Sequence, residues 1–137
     1  MKPLASLLFF GALLAVSGGC HSTEPEKPDF SCDGELSCGQ LEELTESALN
    51  GSANAALDLF WASLDKGEKE EALYWAQIAM ENGSAAGRRN YASLLSEKGD
   101  AKSLARARYH LRMLVSQGYE GADVLLGAVE RKLAESP

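Results

Sequence analysis

Residues 51–83 read GSANAALDLFWASLDKGEKEEALYWAQIAMENG, and this stretch decides the fold class. Its apolar residues recur at the three- and four-residue spacing of a helix with one buried face, and the strict alternation of a strand is absent. Gly67 lies where one helix would stop and another would start. The stretch therefore predicts two antiparallel helices, at about 53–65 and 69–82, which are joined by a short glycine turn.

The same pattern continues on both sides of this helix pair. Between Ser37 and the terminal Pro137 there is no other proline, and residues that favour helices dominate. Further glycines separate the apolar runs. The predicted helices are 38–49, 53–65, 69–82, 85–97, 103–117 and 120–134. The predicted fold class is all-α, a short helical-repeat solenoid of five to six antiparallel helices.

The chain is similar to itself at intervals of 32 and then 35 residues, measured from Gly51 to Gly83 and on to Gly118. Four positions after these glycines the residue is small, and eight positions after them it is large. The small residues are Ala55, Gly87 and Ala122, and the large ones are Leu59, Tyr91 and Leu126. Small residues let helix axes approach closely while large neighbours fill the gaps. The repetition therefore predicts stacked helix pairs.

This spacing resembles the Sel-like repeats, which are relatives of the tetratricopeptide repeat. The unit of that family begins with Gly, has Ala four positions on and Leu-Gly eight and nine positions on, and later carries Ala, Trp, Ala and Gly. Matching residues are Gly118, Ala122, Leu126 and Gly127 for the first half, and Ala72, Trp75, Ala79 and Gly83 for the second. The middle repeat departs from the pattern, with Gly87 in place of Ala and His110 in place of Trp. The resemblance covers residues 51–130 and implies a right-handed stack within a domain at 37–137.

The resemblance also implies a binding site. Tetratricopeptide proteins bind ligands in a groove that is lined by the first helix of each repeat. The groove positions carried over to this chain are Asn54, Leu57, Trp61, Asp65, Arg89, Ser93, Glu97, Val124, Ala128 and Arg131. Trp61 and Arg89 are of the residue types that are enriched in binding hot spots. The alternative for Trp61 is packing against helix 38–49, and for Leu57 packing in the core is favoured.

Residues 1–19 have the features of an export signal. Lys2 precedes an apolar run at 4–16, which has the length of a signal-peptide core and is too short to span a bilayer. The following residues 17–20, SGGC, resemble a bacterial lipoprotein signal, in which the cysteine is lipidated and becomes the mature N-terminus. Ser17 departs from the aliphatic residue usual at that position, so an ordinary signal-peptidase cut just after it remains an alternative.

A lipid on Cys20 would determine how the other N-terminal residues are interpreted. His21 follows it, so the family's inner-membrane retention signal, an Asp, is absent, which implies a periplasmic protein anchored to the outer membrane. The proline- and charge-rich residues 20–36 predict a flexible tether. Lipidation leaves Cys32 and Cys38, which an oxidising periplasm would join. The alternative is a metal site, which is disfavoured because zinc takes four ligands and no histidines cluster there.

The composition and the missing motifs argue against several function classes. The formal net charge is −7, whereas nucleic-acid binding needs a basic footprint. The phosphate-binding loop, the G-x-S-x-G elbow and the H-E-x-x-H zinc motif are all missing. We therefore expect no enzyme, no cofactor and no metal site. His110, the one histidine in 37–137, is expected to be packed or half-buried rather than catalytic.

Three functions remain on the sequence alone. The leading prediction is a membrane-anchored periplasmic module that binds another protein. The first alternative is an immunity protein that neutralises a secreted antibacterial toxin, because some Sel-like lipoproteins have that task. The second is an enzyme acting on the cell wall, which would need two close carboxylates in a cleft.

Charge is segregated along the chain. Residues 24–46 carry eight acidic residues and one basic residue, whereas residues 84–117 carry seven basic residues and two acidic ones. One interpretation is solvated helix faces that pair in part with the acidic first repeat. The other is a docking surface for an acidic partner.

Overall fold

The computed structural model describes residues 36–135, and every regular element within that range is an α-helix. The helices are α1 (Cys38–Leu49), α2 (Ala53–Asp65), α3 (Lys69–Glu81), α4 (Ala85–Lys98), α5 (Ala101–Ser116) and α6 (Ala122–Glu135). The predicted all-α fold class is confirmed.

Two predicted helix starts need correction. α5 begins at Ala101 rather than at 103, because the Asp100 side chain accepts a hydrogen bond from the Ser103 amide at 2.9 Å and caps the helix. α6 begins at Ala122 rather than at 120, because the backbone of Gly121 is left-handed, with φ of +75°.

Serine caps and left-handed glycines set most of the other boundaries. Ser52 and Ser84 cap α2 and α4, each accepting a hydrogen bond from the amide three residues on, at 3.2 and 3.0 Å. Gly67 has φ of +78°, which side chains other than glycine rarely tolerate. That one residue lets the chain reverse between α2 and α3 within a short turn.

The helices form a two-layer stack. Each helix packs mainly against its neighbours along the chain. In addition, α1 contacts α3, and α4 contacts α6. These contacts place α1 beside α3 and α4 beside α6, and the alternation of helices along the chain assigns α5 to the layer of α1 and α3 and α2 to the layer of α4 and α6. This arrangement has the helical-repeat character expected from the sequence.

The core alternates alanines with a few large side chains. Alanines with no exposed surface lie on all six helices: Ala48, Ala56, Ala72, Ala76, Ala79, Ala92, Ala107 and Ala122. The largest fully buried side chains include Trp75, Tyr91, Leu59, Leu104, Leu111 and Leu114. The stack is therefore held by close helix contacts with large residues filling the spaces between them.

The N-terminal helix is tied to the rest of the stack. The Asn82 side-chain amide, after α3, donates to the Ala48 carbonyl of α1 at 2.8 Å. Cys38, the first residue of α1, is disulfide-bonded. Its predicted partner Cys32 lies outside the described residues, as do Cys20, the signal peptide and most of the tether. Within residues 36–135, none of the helices combines the length and hydropathy needed to cross a membrane.

Candidate functional site

The predicted groove residues of α2 lie mostly at the surface. Asn54 and Asp65 are exposed, and Leu57 is partly buried against the core. Trp61 exposes 53% of its surface, and its ring meets the buried Phe60 ring edge to face at a centroid distance of 4.8 Å. Phe60 thus fills the core while Trp61 presents about half of an indole to the outside.

The predicted groove residues of α4 and α6 are also exposed or partly buried. Arg89, Glu97 and Arg131 are exposed, while Ser93 and Ala128 are partly buried. Val124 of α6 exposes 70% of its surface. The predicted positions therefore share the layer of α2, α4 and α6. Within residues 36–135, no hydrogen bond or ion pair joins the α2 positions to those on α4 or α6.

A direct link between α4 and α6 fixes two of these helices relative to each other. The Lys132 ammonium of α6 donates to the Ser96 carbonyl at 2.9 Å and approaches the Ser96 hydroxyl at 3.3 Å. Ser96 lies one residue before the predicted groove residue Glu97. The end of α4 and the last turns of α6 therefore form one continuous surface.

Two crossed ion pairs join α3 to α4. Lys69 lies 2.7 Å from Glu97, and Lys98 lies 3.0 Å from Glu70. They flank a shallow cavity of about 150 Å³, also lined by Leu73 and Leu94. All four charged side chains are well exposed, so each pair adds about 0–1 kcal/mol. These pairs were not predicted, although the order Lys-Glu at the start of α3 and Glu-Lys at the end of α4 is complementary in antiparallel helices.

A pair of carboxylates lies at the start of α3. Burial is the main cause that raises the pKa of Glu71, and the neighbouring Glu68 carboxylate raises it further, while the nearby Trp75 and Ser63 side chains lower it. The adjoining cavity is about 10 Å³, which is room for about one water molecule. This pair therefore lacks the space for a sugar ring that a cell-wall hydrolase would need.

His110 is packed into an aromatic cluster on α5. It is partly buried, and its ring meets Tyr91 at 5.3 Å and Tyr109 at 5.2 Å, both edge to face. Its Nδ1 atom is buried and has no hydrogen-bond partner among the described residues. Burial lowers the pKa of His110 below its usual 6.5, and the nearby Arg88 and Arg106 charges lower it further.

This environment predicts a pH dependence of stability. Because the unfolded chain binds a proton at His110 more readily than the folded chain, the free energy of unfolding should fall as the pH drops below about 6.5. His110→Gln should lack this part of the decrease. Urea unfolding of both proteins between about pH 7.5 and 5.5, above most carboxylate titrations, measures the difference. A constant difference across that range would show that His110 titrates alike in both states.

No group of three or more His, Cys, Asp or Glu side chains suited to holding a metal ion occurs in residues 36–135. Comparisons of the chain with protein-family models, curated proteins and solved structures found no match.

Proposed function

We propose that this chain is an exported protein–protein interaction module with Sel-like repeats, which is anchored to the outer membrane through a lipid on Cys20 and acts in the periplasm. The observation that carries the proposal is the exposure of Trp61 on the layer formed by α2, α4 and α6. This is the layer of first helices that tetratricopeptide relatives use to bind their ligands.

Trp61 and other exposed side chains on the same layer support a binding role. Half of its indole is exposed, so a partner could bury that surface and gain the hydrophobic free energy that folding has left unused. Val124 offers a second exposed apolar side chain on the same layer. Arg89 and Arg131 are exposed on the same layer, and no ion pair within residues 36–135 engages either one. Aromatic residues and arginine are enriched in protein interfaces relative to the rest of the surface.

Trp61→Ala should weaken binding of the physiological partner by about 2 kcal/mol, which is about thirtyfold in the dissociation constant. The partner is identified by capture on the tagged full chain from a detergent extract of the native organism, followed by mass spectrometry. Its affinity for wild type and variant is then measured by calorimetry. The melting temperature should change little, because Trp61 is half exposed.

Leu49→Ala is the matched control, since Leu49 is also about half exposed but lies at the end of α1 in the other layer. If both substitutions weakened partner binding equally, the proposal that the partner binds in the groove would be refuted. A single secreted toxin retained through high salt would make the module an immunity protein. Resident envelope proteins would make it an adaptor. If the chain retained no protein at all, the interaction module itself would be refuted.

A further inference from the structure

α5 is the most uniformly positive element of the described chain. None of its 16 residues is acidic, and Lys102, Arg106 and Arg112 are exposed while Arg108 is partly buried. Tyr109 lies among them with 61% of its surface exposed. We call Lys102, Arg106, Arg108, Tyr109 and Arg112 the basic surface of α5.

Neighbouring side chains hold this surface in place. The Arg106 guanidinium donates to the Tyr91 hydroxyl and lies over the Tyr91 ring, 5.6 Å from its centroid. The Tyr109 ring packs edge to face on His110, which in turn packs on Tyr91. Side chains that are ordered before binding lose less entropy on binding. The central part of the surface is therefore preorganised.

Among the described residues, few acidic groups compensate this charge. From α6, Glu130 pairs with Arg112 at 2.8 Å, and both side chains are about half exposed. On α4, Glu97 is engaged by Lys69, and Arg88 adds a further positive charge where it donates to the Met113 sulfur at 2.9 Å. Asp100 is occupied as the cap of α5.

The alternative interpretation of the charge segregation was pairing with the acidic first repeat. Among the seven basic residues of 84–117, only Lys98 pairs with that repeat, through Glu70. Within residues 36–135, no ion pair engages Lys102, Arg106 or Arg108. Most of this positive charge is therefore not neutralised by ion pairs within residues 36–135, although the chain as a whole has a net charge of −7.

We infer that the basic surface of α5 docks an acidic segment of a partner protein. Arginine is the cation suited to binding carboxylates with two parallel hydrogen bonds, and three of the four cations here are arginines. Tyrosine supplies contact area at low entropic cost. A membrane surface fits less well, because the apolar residues Leu104, Leu111 and Leu114 of α5 are buried in the core and cannot insert into lipid.

The inference rests on the proposed binding function and places a second contact on the opposite layer from Trp61. It is tested with the full chain in non-ionic detergent and a fluorescent polyglutamate peptide, followed by anisotropy. The peptide should bind, and binding should weaken as salt screens the charges. Arg108→Glu should weaken it about tenfold or more. Lys69→Glu, with the same charge change at the exposed start of α3, outside both the groove and the basic surface of α5, should have little effect.

A second variant keeps the inference testable if Arg108→Glu does not fold. Tyr109→Ser alters an exposed side chain and should reduce peptide affinity about threefold or more while the melting temperature stays close to wild type. Absence of peptide binding, or equal weakening by Arg108→Glu and Lys69→Glu, would overturn the inference. A further contrary result is that the chain binds phosphatidylglycerol vesicles in preference to phosphatidylcholine vesicles, without binding the peptide. If Arg108→Glu removed that preference, the basic surface of α5 would bind anionic lipid and the inference would be overturned.

The Trp61→Ala variant separates this inference from the proposed function. Trp61 lies in the other layer, so its removal should leave polyglutamate binding unchanged. If the peptide does not bind, only the inferred docking role of the basic surface of α5 is overturned. If Trp61→Ala does not weaken binding of the physiological partner, only the proposed binding role of the groove is overturned.

Discussion

Trp75→Ala should lower the free energy of unfolding by about 3–5 kcal/mol. Trp75 is completely buried on α3 and is among the largest fully buried side chains of the core. Truncation would remove its apolar contacts and leave a cavity among alanines that are themselves too small to fill it. For a domain of this size, each kcal/mol corresponds to about 4–8 °C in melting temperature. Urea unfolding and calorimetry both measure the loss.

Trp61→Ala is the control for this prediction, because the two tryptophans lie on the two helices of one repeat. Trp61 is 53% exposed, so its truncation should cost about 1 kcal/mol or less. The two substitutions should therefore separate cleanly, with Trp75→Ala affecting stability and Trp61→Ala affecting partner binding. Similar melting temperatures for the two variants would contradict the burial of Trp75.

The different fates of the two tryptophans show what periodicity can predict. Trp75 is three residues after Ala72 and four before Ala79, so helical spacing places all three on one face, and all three are buried. Trp61 follows another aromatic residue, Phe60. Neighbouring residues on a helix point about 100° apart, so the three consecutive large residues Leu59, Phe60 and Trp61 span about 200° and do not all enter the core. The sequence does not say which of them stays outside, and packing in three dimensions buries Leu59 and Phe60 and leaves Trp61 at the surface.

Helix number and most boundaries were predictable because they depend on local signals. Glycines and capping serines act within a few residues, and the structure uses Gly67, Ser52 and Ser84 in this way. The start of α5 was wrong because Asp100 was not considered as a cap, although Asp is a common one. That signal was present in the sequence and was missed.

The surface features could not be derived in the same way. The crossed pairs of α3 and α4 and the clustering of His110 with Tyr91 depend on how antiparallel helices align, which local patterns do not encode. The groove was carried over from a resemblance, and its positions fall on one layer without direct bonds between α2 and α4. Segregation of charge was visible in the sequence, but only the packed structure shows that Tyr109 lies among the cations of α5.

Gly87 is the position where the sequence pattern was most misleading. It stands where the other two repeats have Ala55 and Ala122, and therefore reads as a weak match. In the structure it marks a close approach of α4 to α3. A Cβ atom at Gly87 would lie 2.6 Å from the Ala79 Cβ and 2.7 Å from the Met80 backbone nitrogen. Glycine is required because backbone atoms cannot move aside as a flexible side chain can.

Gly87→Ala should therefore destabilise the domain by about 2–3 kcal/mol, even though alanine is the better helix former by about 1 kcal/mol. Gly87→Val should cost more, because its two additional methyl groups enter the same contact. Gly127→Ala is the matched control within α6, where the nearest atom to a new Cβ would be the flexible Arg131 guanidinium at 3.8 Å. That substitution should be neutral or stabilising by about 1 kcal/mol. If both glycine-to-alanine variants raised the melting temperature, the close contact of α3 with α4 would be refuted, and with it the packing that positions α4 beside α5.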